Sequence, residues 1–131
     1  MEAQKIVARY ANGKILKGHT INFAPDKPTF ILEPVGGGPE RVVQIGELKA
    51  VFFVRDFLGR RSHEDRKFFV AHQPYQGRQA KVRFSDGEII VGSLPNYCPD
   101  KQGFFIFPAD DQANAIKIFA VTANVKEVEL V

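Results

Sequence analysis

The sequence predicts an all-β protein built as two tandem five-stranded small barrels, and three observations carry that prediction. The first is an internal repeat, the feature to look for before any local structure. Residues 6–34 lie over residues 80–108 at a constant offset of 74 with no gap, and 10 of the 29 aligned positions are identical. Three extra residues then shift the offset to 77, after which residues 47–54 lie over residues 124–131. The second is a pair of strands with period-two alternation, each running into Asn12-Gly13 or Asp86-Gly87, the strongest short signal for a hairpin. The third is economy: an open sheet of five short strands in about 50 residues would bury too little, whereas a curled one covers its own edges and face.

The elements follow in order. Ile6, Ala8 and Tyr10 alternate with Val7, Arg9 and Ala11, as Ala80, Val82 and Phe84 alternate with Lys81, Arg83 and Ser85, which predicts the first strand of each copy. The Asn-Gly and Asp-Gly pairs predict type I′ turns, whose two central residues both take positive φ. A second strand, 14–18 or 88–92, ends on Gly18 or Gly92, read as a bend. The shared Pro-Asp-Lys turns (25–27 and 99–101) lead into a third strand, through Phe30 or Phe104, stopped at Pro34 or Pro108. Fourth strands are predicted over 41–45 and 115–120, fifth strands over 48–54 and 125–130. The expected organisation is a first barrel over 1–54, a connector over 55–78 and a second barrel over 79–131. Within the connector, Ser62 followed by Asp65 resembles a capping box and suggests one helical turn to Phe69.

Composition narrows the class. The chain has 131 residues, 44% hydrophobic and 25% charged, values that exclude disordered and collagen-like chains. No apolar run approaches the roughly 20 residues that span a bilayer, and the start lacks the apolar stretch of a secretory signal. The expectation is therefore a cytoplasmic protein without membrane contact. The single cysteine, Cys98, makes neither an internal disulfide nor a multi-thiolate metal site and suits a reducing compartment. A net charge of +3 is too mild to name a partner.

The segment Ile15-Leu-Lys-Gly-His-Thr-Ile-Asn-Phe23 resembles the first signature of Sm-like proteins, and the strand layout of both halves is similar to Sm-like and other SH3-type small barrels. That resemblance implies single-stranded RNA as a ligand. The Asp-x-x-Met-Asn run with which Sm proteins contact RNA has no counterpart in Ala24-Pro-Asp-Lys-Pro-Thr-Phe30. The Arg-Gly pair of the second signature is replaced by Ile45-Gly46-Glu47 and by Ala123-Asn124. The string Leu48-Lys-Ala-Val-Phe-Phe-Val-Arg-Asp-Phe57, with Gly59 and the later Gly103-Phe-Phe-Ile-Phe-Pro-Ala-Asp110, is similar to an uncharacterised bacterial domain family. This implies a bacterial source and brings no function with it.

Two sets of residues are candidate sites. The connector holds most of the excess positive charge, and Arg60, Arg61, Arg66 and Lys67 form a candidate anion or nucleic-acid site through charge-assisted hydrogen bonds to phosphate. The alternative is a solvated linker that Glu64 and Asp65 half neutralise. The second set lies on strands that fail to alternate. Val51-Phe-Phe-Val54 and Phe104-Phe-Ile-Phe107 are apolar on both faces, so both faces are covered. With Val51, Phe53, Phe104 and Ile106 inside, the residues Phe52, Val54, Phe105 and Phe107 are expected to form a contact between the two barrels, or between subunits. Phe57, Phe68 and Phe69 of the connector would assist. The repeated Asn22/Asn96 and Pro-Asp-Lys turns either present one contact twice or serve their own backbone.

Neither His19, His63 and His72 nor Cys98 forms the convergent set that metal binding or nucleophilic catalysis needs. Gly36-Gly37-Gly38 precedes Pro39 and opens no helix, so it reads as a turn and not as a phosphate cradle. No cofactor, metal or catalytic residue is predicted. The function expected is a non-catalytic interaction module whose partner is another protein or another copy of the chain. The alternative is single-stranded nucleic acid stacking on Lys67-Phe68-Phe69. A third reading is cyclic-dinucleotide binding, since PilZ-type receptors also place an arginine motif ahead of a small barrel. Their arginines are four apart, whereas Arg55/Arg60 and Arg61/Arg66 are five apart.

Overall fold

A computed structural model describes residues 2–59, 65–70, 75 and 77–131. Its regular structure is all-β apart from two short 3-10 turns. The strands are β1 (Gln4–Tyr10), β2 (Ile15–Thr20), β3 (Thr29–Pro34), β4 (Arg41–Gln44) and β5 (Leu48–Val54) in the first copy, then β6 (Arg78–Phe84), β7 (Ile89–Leu94), β8 (Gly103–Pro108), β9 (Ala115–Val121) and β10 (Val125–Leu130) in the second. The 3-10 turns, Ile45–Glu47 and Thr122–Asn124, stand at equivalent places before β5 and β10. β6 opens at Arg78, one residue inside the expected connector. The helical turn expected from Ser62 falls partly outside the described residues, and Asp65 to Phe69 are not helical.

Two local expectations are corrected. The hairpin turns are not type I′, because Gly13 (φ 94°) and Gly87 (φ 95°) take positive φ whereas Asn12 and Asp86 do not. Instead the Gly13 N–H donates to the Tyr10 carbonyl at 3.0 Å, the Tyr10 N–H to the Lys14 carbonyl at 2.8 Å, and the second copy repeats both bonds. This is a type I turn closed by a left-handed glycine, the three-residue hairpin loop with a bulge. Asn12 and Asp86 earn their positions through their side chains, whose Oδ1 atoms each accept the backbone N–H two residues on at 3.0 Å. The second strands also run past their glycines, to Thr20 and Leu94. Gly18 lies between Ile6 and Pro34 on neighbouring strands, and a Cβ there would drive into the Glu33 carbonyl, as one at Gly92 would into the Phe107 carbonyl. The glycine permits close backbone approach and does not end the strand.

All ten strands lie in one antiparallel sheet, ordered β10-β6-β7-β8-β9-β5-β1-β2-β3-β4. The two copies are therefore not separate sheets. Each supplies five consecutive positions, and β5 of the first pairs with β9 of the second, with Ala50 opposite Ala120, Val51 opposite Phe119 and Phe52 opposite Ile118. The sheet is not closed: among the described residues β4 and β10 remain its edges.

Two cores result. One gathers Ile6, Phe30, Leu32, Val43, Ile45, Val51 and Phe53 of the first copy with Phe119 and Val121 of the second. The other gathers Val82, Phe84, Leu94, Phe104, Ile106, Ile118 and Ala120 with Ala50 of the first copy. Successive side chains of a strand point to opposite faces, so β5 and β9 feed alternate residues to each core. Among the described residues no helix is long and apolar enough to cross a membrane.

Replacing Gly18 by Ala is expected to cost about 1–3 kcal/mol through overpacking against the Glu33 carbonyl, seen as a lowered midpoint in thermal or urea unfolding. A Gly46→Ala control, where no atom lies within 4 Å of a Cβ, should change stability little.

Candidate functional site

The distinctive feature of the molecule is the joint between the copies, which is made by backbone pairing and sealed by rings. Phe23 of the first copy stands edge-on to Phe53 (5.3 Å), to Phe119 (5.2 Å) and, more distantly, to Phe105 (6.3 Å), while Phe105 and Phe119 are 5.2 Å apart. Edge-to-face geometry sets the positive ring edge against the negative face of its neighbour. Lys117 places its ammonium 4.9 Å from the Phe53 ring and 5.0 Å from the Phe105 ring, covering the cluster on its outer side.

Polar contacts fix the joint further. Lys49 on β5 is only 8% exposed. Its ammonium bonds Asp86 at 2.7 Å and also Glu88, both on the β6–β7 hairpin of the other copy, and lies 5.0 Å from the Phe84 ring. That hydrogen bond from Lys49, followed by one from the Glu88 N–H, holds the Asp86 carboxyl below its ordinary value. The side-chain amide of Gln102 donates at 2.7 Å to the carbonyls of Pro25 and of Lys27, and that of Asn124 donates at 2.8 Å to the Leu48 carbonyl.

The expected interface residues are placed as follows. Phe105 packs into the first core although it belongs to the second copy. Phe52 packs against the second core although it belongs to the first, with the Arg9 guanidinium 5.1 Å from its ring. Val54 is buried and pairs with Ala115 of β9. Phe107 is half-buried opposite Ser93, and Phe57 stands edge-on to His19 at 5.3 Å. The contact expected from phenylalanine faces alone is thus carried first by strand pairing.

The connector is tied back to the second copy. Arg55 donates to the carbonyls of Ala113 and Asp111, each at 3.2 Å, and Asn114 brackets Asp56 with two hydrogen bonds. The Arg66 guanidinium donates to the Phe68 carbonyl at 3.1 Å and to the Ala109 carbonyl, so it works as a tether. Lys67 is exposed, Phe68 is 64% exposed, and Phe69 stands edge-on to Tyr75 at 4.9 Å. Arg60, Arg61, His63 and His72 lie outside the described residues. Beneath the connector a groove of about 590 Å³ runs between the copies, lined by Arg9, Lys17, Phe52, Ile90, Ile118 and Lys67 among others. Asn22 accepts the Ile31 N–H at 3.0 Å, so it serves the backbone of its own turn.

Sequence reasoning missed Lys49, Gln102 and Asn124. A signal existed: the acids Asp86 and Glu88 stand where the first copy has Asn12 and Lys14, a difference that folding of the hairpin does not require.

Fold and joint together define a duplicated all-β protein whose halves are joined edge to edge in one sheet. The chain belongs to a family of unknown function (DUF6982), which residues 2–131 match. No curated protein and no solved structure matches it.

Two outcomes follow from the joint. Phe119 is fully buried in the other copy's core, so Phe119→Ala should cost about 3–5 kcal/mol and lower the protection of β1 amides together with those of β6. Because the Asp86 carboxyl is held low, the stability it contributes is fully present above its unfolded pKa and is lost as pH falls through the lowered folded value. Asp86→Asn should therefore flatten the acid limb of a stability–pH curve, and Asp86→Ala with Glu88→Ala should cost about 1–3 kcal/mol at neutral pH by leaving the Lys49 ammonium without its side-chain acceptors.

Proposed function

We propose that this protein is a non-catalytic interaction module of the bacterial cytoplasm, built from two Sm-like or SH3-like small barrels that work through their strand edges. Curling of each five-strand unit is supported by the cores. β4 lies four places from β5 in the sheet, yet Val43 and Ile45 share a core with Val51 and Phe53.

The observation that carries the reading is the β5–β9 joint. It demonstrates in this chain that an edge of one unit accepts a strand from another, and two further edges, β4 and β10, stand open among the described residues. Strand addition at a sheet edge is a general mode of protein recognition. A protein partner or a further copy of the chain is the ligand this arrangement suits.

One observation favours the second reading, single-stranded nucleic acid. Phe68 is exposed, flanked by Lys67 and with the Arg66 guanidinium 5.6 Å from its ring, a small version of the stacking platform used for single strands. Titrating labelled mixed-sequence single-stranded RNA with the whole protein, at low and raised salt, separates the two. The interaction module predicts flat anisotropy. Micromolar binding that falls steeply with salt, and is lost in Phe68→Ala, would establish phosphate contacts and overturn it.

A further inference from the structure

The repeat carries the two strands of the β5–β9 joint onto the two strands at the open edges. With the offsets of 74 and 77, β5 corresponds to β10 and β9 to β4. Phe23 and Phe53, one side of the ring cluster, correspond to Tyr97 and Leu130. Phe105 and Phe119, the other side, correspond to Ile31 and Val42. All four positions stay apolar, although neither core holds Ile31, Leu130 or Val42, which are 39%, 43% and 70% exposed. Tyr97 is already seated edge-on to Phe104 at 4.8 Å, as Phe23 is to Phe30 at 5.3 Å, so the receiving side of the cluster is formed. The directly opposed pair Phe52 and Ile118 corresponds to Glu129 and Arg41, both exposed and of opposite charge.

We infer that the β10 edge of one chain pairs antiparallel with the β4 edge of a second copy, setting Glu127 opposite Val43, Val128 opposite Val42 and Glu129 opposite Arg41. This partner assignment rests on the interaction-module reading. Val42 and Ile31 of the second copy then enter the core that Val128 already borders, as Phe119 and Phe105 enter the first core inside the chain. The polar pins of the internal joint are missing. Lys126 stands for Lys49 and would meet Asn12 and Lys14 in place of Asp86 and Glu88, Pro28 stands for Gln102, and Glu47 stands for Asn124. The external joint is therefore weaker than the internal one, and association is reversible and dependent on concentration. Two different edges meet, so the contact is heterologous, and copies add head to tail until the arc closes or extends.

Sedimentation velocity of the full chain over a range from micromolar to several hundred micromolar tests the assignment, with circular dichroism checking that each variant is folded. The expected result is a mass that rises with concentration. Arg41→Glu, which sets two acids face to face, should weaken association by roughly tenfold, and Val42→Lys should do the same. The double variant Arg41→Glu with Glu129→Arg should restore association, a recovery that a non-specific apolar contact would not give. Single-chain mass throughout, or association indifferent to both Arg41→Glu and Val42→Lys, overturns the second-copy assignment. Salt-sensitive RNA binding would instead overturn the reading beneath it, so the two failures are distinguishable.

Discussion

The antiparallel pairing of β5 with β9 is the constraint on which the rest of the structure depends. A strand in the middle of a sheet has two faces, and in a two-layer protein only one of them packs on another layer. Here the pair lies between two cores, and each strand lends alternate side chains to a different one. Val51 and Phe119 look into the first, Ala50 and Ile118 into the second. Neither core is complete without residues from the other copy. The two halves are thus interlocked even though the chain reads as two repeats.

That interlock explains where the copies diverged. Positions that serve a copy's own turns are shared: the glycine of each hairpin and the Pro-Asp-Lys turn, closed in both copies by a 3.2 Å bond from the lysine N–H. Positions that face the joint differ in character. Phenylalanine stands at 53, 105 and 119 where the outer edges carry Leu130, Ile31 and Val42. Acids stand at 86 and 88 where the first copy has an amide and a lysine, and they are the groups that satisfy Lys49. A nearly buried ammonium is costly unless its hydrogens are all accepted, so the two carboxylates and the Phe84 ring are what allow a lysine at a β-bulge beside a core.

The connector follows the same logic. Its arginines bind backbone carbonyls: Arg55 holds Ala113 and Asp111 of the second copy, and Arg66 holds Ala109 of the second copy and Phe68 of the connector itself. A guanidinium offers five donors in a fixed fork, which suits loop carbonyls that no strand satisfies. One of the basic residues that look like a phosphate site in sequence, Arg66, thus tethers a loop over the groove between the copies.

The repeat, the ten strands to within about two residues, and the inward positions Ile6, Ala8, Val51, Phe53, Ala80, Val82, Phe84, Phe104 and Ile106 are legible in the sequence, because period-two alternation and turn glycines are local signals. It also marked β5 and β8 as strands that need cover on both faces. The type I′ expectation failed because dipeptide identity does not reveal whether the residue before glycine leaves the right-handed region. What provides the cover is settled by folding alone. Strand pairing is backbone to backbone and carries almost no residue code, so the choice of β9 as neighbour of β5 could not be read from side chains. Lys49 looks like an ordinary polar position until two acids 37 and 39 residues away are folded onto it.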